Sequence, residues 1–466
     1  MHPTPATIDA LGAELRELLG ERAVSVELAA REKASVDGSH LSPVISAQLP
    51  LGLADLVVYP ASAEEIALAV GAAARHGVPI TPRGKGTGNY GQAIPFDGGL
   101  VLDTSRARAV VEVGDGAITA DAGATMVALE QAANRAGQQI LMYPSTAQST
   151  IGGFLGGGSG GTGSIKHGSN SDGFVVALDV VHAVPDATLV HVDGQEAQAY
   201  VHNYGTAGII ARATVRLEPL QEWRGLYASF DTFEQALSLI RPFADLQPTP
   251  RLVSADPPIL ADALPADPAI PAGRASLRGI LDAATVEEAT RMVAAAGGRV
   301  EDVREGAAQM IKISMISYNH PIEWLQKAYP DRYFHVEVSG DALVDRIDEV
   351  QAVYPGGMLH VESQHGRPIG MLAGVYRSAE DVYAGFPKLR ALGVGYHNPH
   401  QWFVDFQPDR TRELAVRTDP DRLLNPGKLT EPTGLDTGVK GGHPAGTASI
   451  ATGGAAERID TGSKVS

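Results

Sequence analysis

Two glycine-rich segments constrain this chain more than anything else in it: residues 82–92, PRGKGTGNYGQ, and residues 151–164, IGGFLGGGSGGTGS. Runs like these leave rows of backbone N–H groups unshielded by side chains, able to wrap an anionic pyrophosphate and to press flat against an aromatic ring. Both alternate with apolar, strand-like stretches, so they read as loops on a folded frame that share one large phosphorylated cofactor. The dinucleotide fingerprint requires a helix directly after its third glycine, and Gln92-Ala93-Ile94-Pro95 follows here instead. Gly84-Lys85-Gly86-Thr87 also lacks the spacer of a Walker loop. Neither a Rossmann NAD site nor a nucleotide triphosphatase is supported.

At 466 residues the chain is too long for one ordinary core, which implies two domains. It has no apolar run long enough for a membrane helix, and its first residues carry Asp, Glu and Arg where a leader would be basic and then apolar. A soluble, cytoplasmic protein without membrane contact is expected. The absence of cysteine excludes disulfides, thiolate metal sites, a cysteine nucleophile and any cysteinyl-linked cofactor. A formal charge of −17 without a Lys/Arg cluster argues against a nucleic-acid partner.

Helical spacing of Ile8, Leu11, Leu15, Leu18 and Leu19 predicts an opening amphipathic helix. A βαβ-like unit follows: a strand at 56–59, a helix from a Ser62/Glu65 capping box to about His76, and a strand at 78–81 that enters the first glycine segment. Strands are expected at 99–103, 117–123, 175–183, 189–192 and 208–217, with a helix at 126–136. Beyond Glu218-Pro219, helices (232–243, 285–296, 342–353) alternate with strands (277–281, 333–339), the pattern of a separate α+β domain. The stretch 248–271, rich in Pro and Ala, reads as an exposed connection. The expected division is 1–219 for cofactor binding, 220–395 for a substrate domain, 396–430 for a return, and 431–466 for a flexible, dispensable tail.

Four segments together resemble the vanillyl-alcohol oxidase/p-cresol methylhydroxylase family of FAD-linked oxidoreductases. They are Arg83-Gly84-Lys85-Gly86-Thr87-Gly88 with Gly91-Gln92; Tyr143-Pro144-Ser145-Thr146 with Ser149-Thr150-Ile151-Gly152-Gly153; residues 160–168, GGTGSIKHG; and Leu424-Asn425-Pro426-Gly427-Lys428. Gly205 to Ile210, GTAGII, adds a fifth. The resemblance implies an α+β FAD domain in two parts under an α+β cap. By it, Arg83 to Gly88 line the pyrophosphate, with Gln92 close by. Ser145, Thr146, Ser149, Thr150, Gly152 and Gly153 hold phosphates and the ribityl chain. Gly157, Gly158, Gly161, Thr162, Gly163 and Ser164 lie against the isoalloxazine, Ile209 flanks the adenosine half, and Asn425 and Lys428 return to the flavin. Many relatives carry a flavin-linking histidine in the first loop; here Thr87 and Gly88 stand there, so noncovalent FAD is expected.

In this family the cap supplies the substrate pocket, which makes candidates of Tyr318, His320, His335, Glu337, His360, Glu362, His365, Arg367, Tyr376, Tyr396, His397 and His400. Oxidation at a C–H bond needs a base for the hydroxyl or phenol proton. The segments 360–367 and 396–402 are expected to meet over the flavin, with His400 foremost as base, followed by His365, Glu362 and Tyr396. On a strand His360 and Glu362 share one face, as do Tyr396 and Asn398, with His397 opposite. No metal site is expected. The resulting reading is an enzyme, an FAD-linked oxidase or dehydrogenase that takes a hydride from a small alcohol, phenol or amine and passes electrons to oxygen or another acceptor. The alternatives are a flavin- or nucleotide-binding protein without turnover, or an NAD(P)H-dependent flavin reductase. Oligomeric state stays open, a homodimer included.

Overall fold

The computed structural model describes residues 2–158 and 160–429; the tail expected at 431–466 lies outside them. The chain begins with the helix Pro5–Leu19, whose buried Leu11 and Leu15 follow the predicted stripe. The βαβ unit is present. Leu56–Val58 and Ile80–Arg83 both run parallel to Leu100–Asp103 between them, with Val24–Ser25 antiparallel at the other edge. The connecting helix Ala63–Arg75 is capped by Ser62, which accepts from the Glu65 N–H; the Glu65 carboxylate bonds the Ala61 N–H rather than that of Ser62. A second, antiparallel sheet orders Val110–Val113, Ala117–Asp121, Ile209–Pro219, Val175–Val181 and Leu189–Asp193, and Gln138–Ile140 pairs with the far end of Ile209–Pro219. Leu424 bridges Ile80 at the edge of the first sheet, so the end of the described chain comes back to its beginning.

The third sheet has eight antiparallel strands, in the order Arg299–Glu305, Trp223–Phe230, Ala275–Asp282, Leu252–Asp256, Met358–Gln364, Arg367–Val375, Tyr333–Ser339 and Gly395–His397. Side chains alternate across it. Val253, Ala255, Leu277, Val336, Leu359, Val361 and Tyr396 join one apolar core with the helices that cover that face. Asp256, Arg278, Glu337, His360, Glu362 and His397 have the opposite parity.

Three expectations that bear on the site need correction. The stretch 248–271 is no exposed connection: Leu252–Asp256 is a fully buried strand in the interior of the cap sheet. Pro250 and Pro257 bound it without interrupting its ladder, which is where a sheet tolerates proline. The second glycine segment opens as a helix, Ile151–Gly157, with Thr150 Oγ1 accepting from the Gly153 N–H at 3.2 Å. Finally, Gly395–His397 pairs with Tyr333–Ser339, so Tyr396 and His397 belong to the cap sheet and not to the returning segment.

Candidate functional site

Two cavities meet to form one elongated cleft. The first, about 120 Å3, runs between the two smaller sheets and is lined by Arg83, Gly84, Lys85, Gly86, Thr87, Gly88 and Gln92, by Ser149, Thr150, Gly152, Gly153 and Gly157, and by Gly205 and Ile209. The second, about 220 Å3, lies under the cap sheet and adds Ser145, Thr146 and Gly158. Thr87, Gly88, Gln92, Ser149, Gly153, Gly157 and Tyr204 border both, so the space is continuous. The fit to a flat, phosphorylated group is visible at Gly156 and Gly157, where a Cβ would meet no atom within 4 Å and would fill the cleft.

Six of the predicted cofactor residues line neither cavity. A Cβ on Gly161 would fall 2.0 Å from the Tyr143 carbonyl oxygen, and one on Gly163 2.0 Å from that of Leu141. These two glycines permit a close backbone crossing. Thr162 donates to Ser314 Oγ at 2.7 Å and Ser164 Oγ accepts from the Gly161 N–H at 2.8 Å, so this segment seams the cofactor part to the cap. Asn425 lies behind the cleft: its Nδ2 donates to the carbonyls of Gln92 (3.0 Å) and Tyr204 (2.8 Å), which come from separate lining loops. Lys428 is fully buried, donates to the Ile94 carbonyl at 2.7 Å and lies over the Phe96 ring, with burial pushing its ammonium down to about 7.

The cap side of the cleft is organised by strand register. His397 stands opposite Glu337, Glu337 opposite Met371, and Met371 opposite His360, forming one row across four strands. His360 donates from Nδ1 to Asp256 Oδ1 (2.8 Å) and from Nε2 to Glu362 Oε1 (2.9 Å). Burial opposes charge on this ring, yet the two carboxylates hold its pKa up to about 9. His397 is held likewise, with Nδ1 donating to Glu337 Oε2 (2.9 Å) and Nε2 to Asp405. Against the burial, Asp405 and Glu337 keep it well above the usual imidazole range. Arg278, completely buried on the same face of the sheet, pairs with Asp256 and anchors the row from its side; a buried charge needs such a partner.

Glu362 closes the arrangement. Its Oε1 also accepts the Tyr318 N–H at 2.6 Å, an amide turned toward it by a left-handed backbone at Tyr318 (φ 59°). Its Oε2 is buried with no hydrogen-bond partner, and the residue lines the cap cavity. Tyr318 reaches back to the Gly161 carbonyl, while Tyr90 of the first glycine segment donates to Glu337 at 2.9 Å and Asn89 to Glu323 at 2.7 Å. Tyr318, Tyr90 and Asn89 thus add to Thr162 in tying the eight-stranded sheet and its neighbours to the glycine loops.

The other predicted bases are elsewhere. His400 is completely buried with its Nδ1 on Ser42 Oγ (2.9 Å) and its ring edge-on to Phe334 and His335; it lines neither cavity. Burial, with His335 alongside, pushes it down to about 3. His365 occupies the turn between two cap strands, 41% exposed and 3.9 Å from Asp172. Tyr396 stacks on Phe386 in the helix-covered core, because strand parity sends His397 to the cavity in its place. Sequence reasoning missed Asp256, Arg278, Glu323, Asp405, Asn89 and Tyr90. Asn89 and Tyr90 were visible inside the first glycine segment, whereas Asp256 sat within the Pro-rich stretch.

Residues 54–193 match the family described as FAD binding domain. These residues are the chain's FAD binding domain. FAD is its cofactor. Among sequence relatives, it is 30% identical over 196 residues to D-lactate dehydrogenase of Archaeoglobus fulgidus (40% of this chain, 44% of that protein). It is 32% identical over 201 residues to glycolate oxidase subunit GlcD of Bacillus subtilis (40% of this chain, 42% of that protein). The chain therefore matches less than half the length of these relatives. Over most of its length the fold is that of alkyldihydroxyacetonephosphate synthase (TM-score 0.71, 16% identity, 92% of this chain and 87% of that one). It is also that of 4-ethylphenol oxidase from Gulosibacter chungangensis (TM-score 0.63, 16% identity, 92% and 98%). Among the described residues no helix is long and apolar enough to cross a membrane.

Proposed function

We propose that this chain is an FAD-dependent oxidoreductase in which a small organic substrate, held under the cap sheet, gives a hydride to FAD and a proton to Glu362. Bound FAD supplies the two-electron acceptor, with oxygen or another acceptor reoxidising it; the chain supplies position and proton transfer. One observation carries the reading: the cofactor cleft runs without interruption into a cavity where a buried carboxylate oxygen has no partner. His360 and His397 cannot be the base near neutral pH, since both ring nitrogens of each are already protonated and given to carboxylates. They orient Glu362 and Glu337. In this reading residues 82–88 hold the pyrophosphate, Ile209 flanks the adenosine half, Gly157 and Gly158 face the isoalloxazine, and FAD is bound noncovalently. The segment up to 219 is the FAD-binding part, and the chain from 220 through the Gly395–His397 strand is the cap.

The test is anaerobic flavin reduction with a substrate panel. Glu362→Gln, which keeps the shape and the contact to His360, should slow reduction by about 10² to 10⁴ with FAD retained, as expected for loss of a positioned base. A change of less than about threefold would place the base elsewhere. Acid precipitation should release all the flavin into the supernatant, and colour left in the pellet would refute noncovalent binding.

A further inference from the structure

The two ends of the cleft differ in charge. Arg83 and Lys85 line the cofactor end. Under the cap, among the described residues, no lysine or arginine lines the cavity, while Glu323, Glu337 and Glu362 all do. The two lining histidines are cations, each held between two carboxylates; Asp256, Glu323, Glu337, Glu362 and Asp405 still outnumber His360, His397, Arg278 and Lys327, so the group stays net negative. Arg278, on the same face of the sheet and in register with Ser254 and Glu362, is engaged by Asp256, Ser276 and the Ile316 carbonyl and lines no part of the cavity. An incoming carboxylate would find no bidentate partner in the lining and would face a net negative group, which disfavours its entry. An incoming hydroxyl finds the opposite: Glu362 Oε2, buried and without a donor, an acceptor that is costly to leave unsatisfied.

Resting on the oxidoreductase reading above, we infer that the cap cavity takes an alcohol carrying no anionic group, neutral or cationic, whose hydroxyl donates to Glu362, and that it rejects 2-hydroxy acids. In the step, the O–H proton passes to Glu362, the carbon-bound hydrogen leaves with its electron pair to FAD, and the carbon becomes a carbonyl. Two electrons leave the alcohol and two enter the cofactor. The substrate class departs from the acids in the names of the relatives, D-lactate dehydrogenase and glycolate oxidase.

Two matched sets of probes test this on the FAD-loaded full-length protein: lactate, propylene glycol and isopropanolamine; then mandelate, styrene glycol and phenylethanolamine. Within each set only the group beside the carbinol carbon changes, from carboxylate to hydroxymethyl to aminomethyl. Anaerobic titration reads binding as a shift in flavin absorbance and turnover as bleaching. Each carboxylate should bind at least about tenfold more weakly than its diol or amino alcohol, given the like charges it meets. In Glu362→Gln that ratio should move toward one. A carboxylate binding as tightly as its diol, an unchanged ratio in the variant, or no binding by any diol or amino alcohol overturns the inference. Bleaching by lactate or mandelate in preference to the other probes would overturn the substrate class and uphold the oxidoreductase. Binding of diols without bleaching by any alcohol would support the class and count against the oxidoreductase.

Discussion

The cofactor end of the cleft is built from contiguous runs of chain, whereas the cap end is built from residues that meet only through strand register. At the first, residues 82–88, 149–157 and 203–210 bring most of the lining, and backbone from glycines does much of it. At the second, Asp256, Glu337, His360, Glu362 and His397 come from four strands of one sheet, and no two of them other than His360 and Glu362 are close in sequence. A ligand gripped by consecutive backbone leaves a motif. One gripped by side chains across a sheet leaves only parity.

The sharpest way to break this comparison is Gly157→Val. Since a Cβ there meets nothing within 4 Å, the variant should fold with an unchanged apo melting temperature and yet hold no FAD. Gly161→Val, whose Cβ would press into the Tyr143 carbonyl, should instead lose fold and cofactor together. If Gly157→Val purified with a full complement of flavin, the contiguous runs would be turns and not a cradle.

A smaller effect comes from His400, the buried histidine outside the cleft. Its folded pKa is about 3, below the unfolded value near 6.5, so the unfolded chain binds the extra proton. Stability is then lost as pH falls from about 6.5 toward 3, about 2 kcal/mol of it between pH 7 and pH 5. In His400→Gln the melting temperature should fall less steeply over that window than in the parent. Anaerobic flavin reduction should change by less than about threefold, well under the loss of a positioned base. A loss of a hundredfold would return His400 to the chemistry. The smallest expected effect is Asn425→Ala. Removing two hydrogen bonds to the lining loops, worth about 1 kcal/mol each, should weaken FAD binding by roughly tenfold or somewhat more without abolishing it. Cofactor dissociation measured by flavin fluorescence checks this.

The same contrast explains what the sequence revealed. The βαβ unit, the helix Pro5–Leu19 and the strand Tyr333–Ser339 were legible because their periodicity is local and strong. The helix expected at 232–243 is broken into Phe233–Leu237 and Ile240–Ala244, with Pro242 in the second piece, and the one expected at 342–353 is likewise two short turns. Leu252–Asp256 was hidden by the prolines that flank it. Of the four proposed bases only Glu362 faces the cleft. His397 was correctly placed on the face opposite Tyr396, but which of those faces meets the cofactor is decided by the helices packed on Val336, Leu359 and Tyr396, a tertiary fact absent from any short window.

Asn425 joins Gln92 to Tyr204 and, with Leu424, lays a late segment of chain along Ile80. This gives biosynthesis an order. A nascent chain that has already emitted every glycine of the cleft still lacks its fastening, so stable loading with FAD should wait until residue 425 has cleared the ribosome. A chain ending at residue 418 should then shed flavin on gel filtration, and a peptide of residues 419–429 added in trans should slow that loss. If the shortened chain kept its flavin as tightly as the parent, loading would need no such wait.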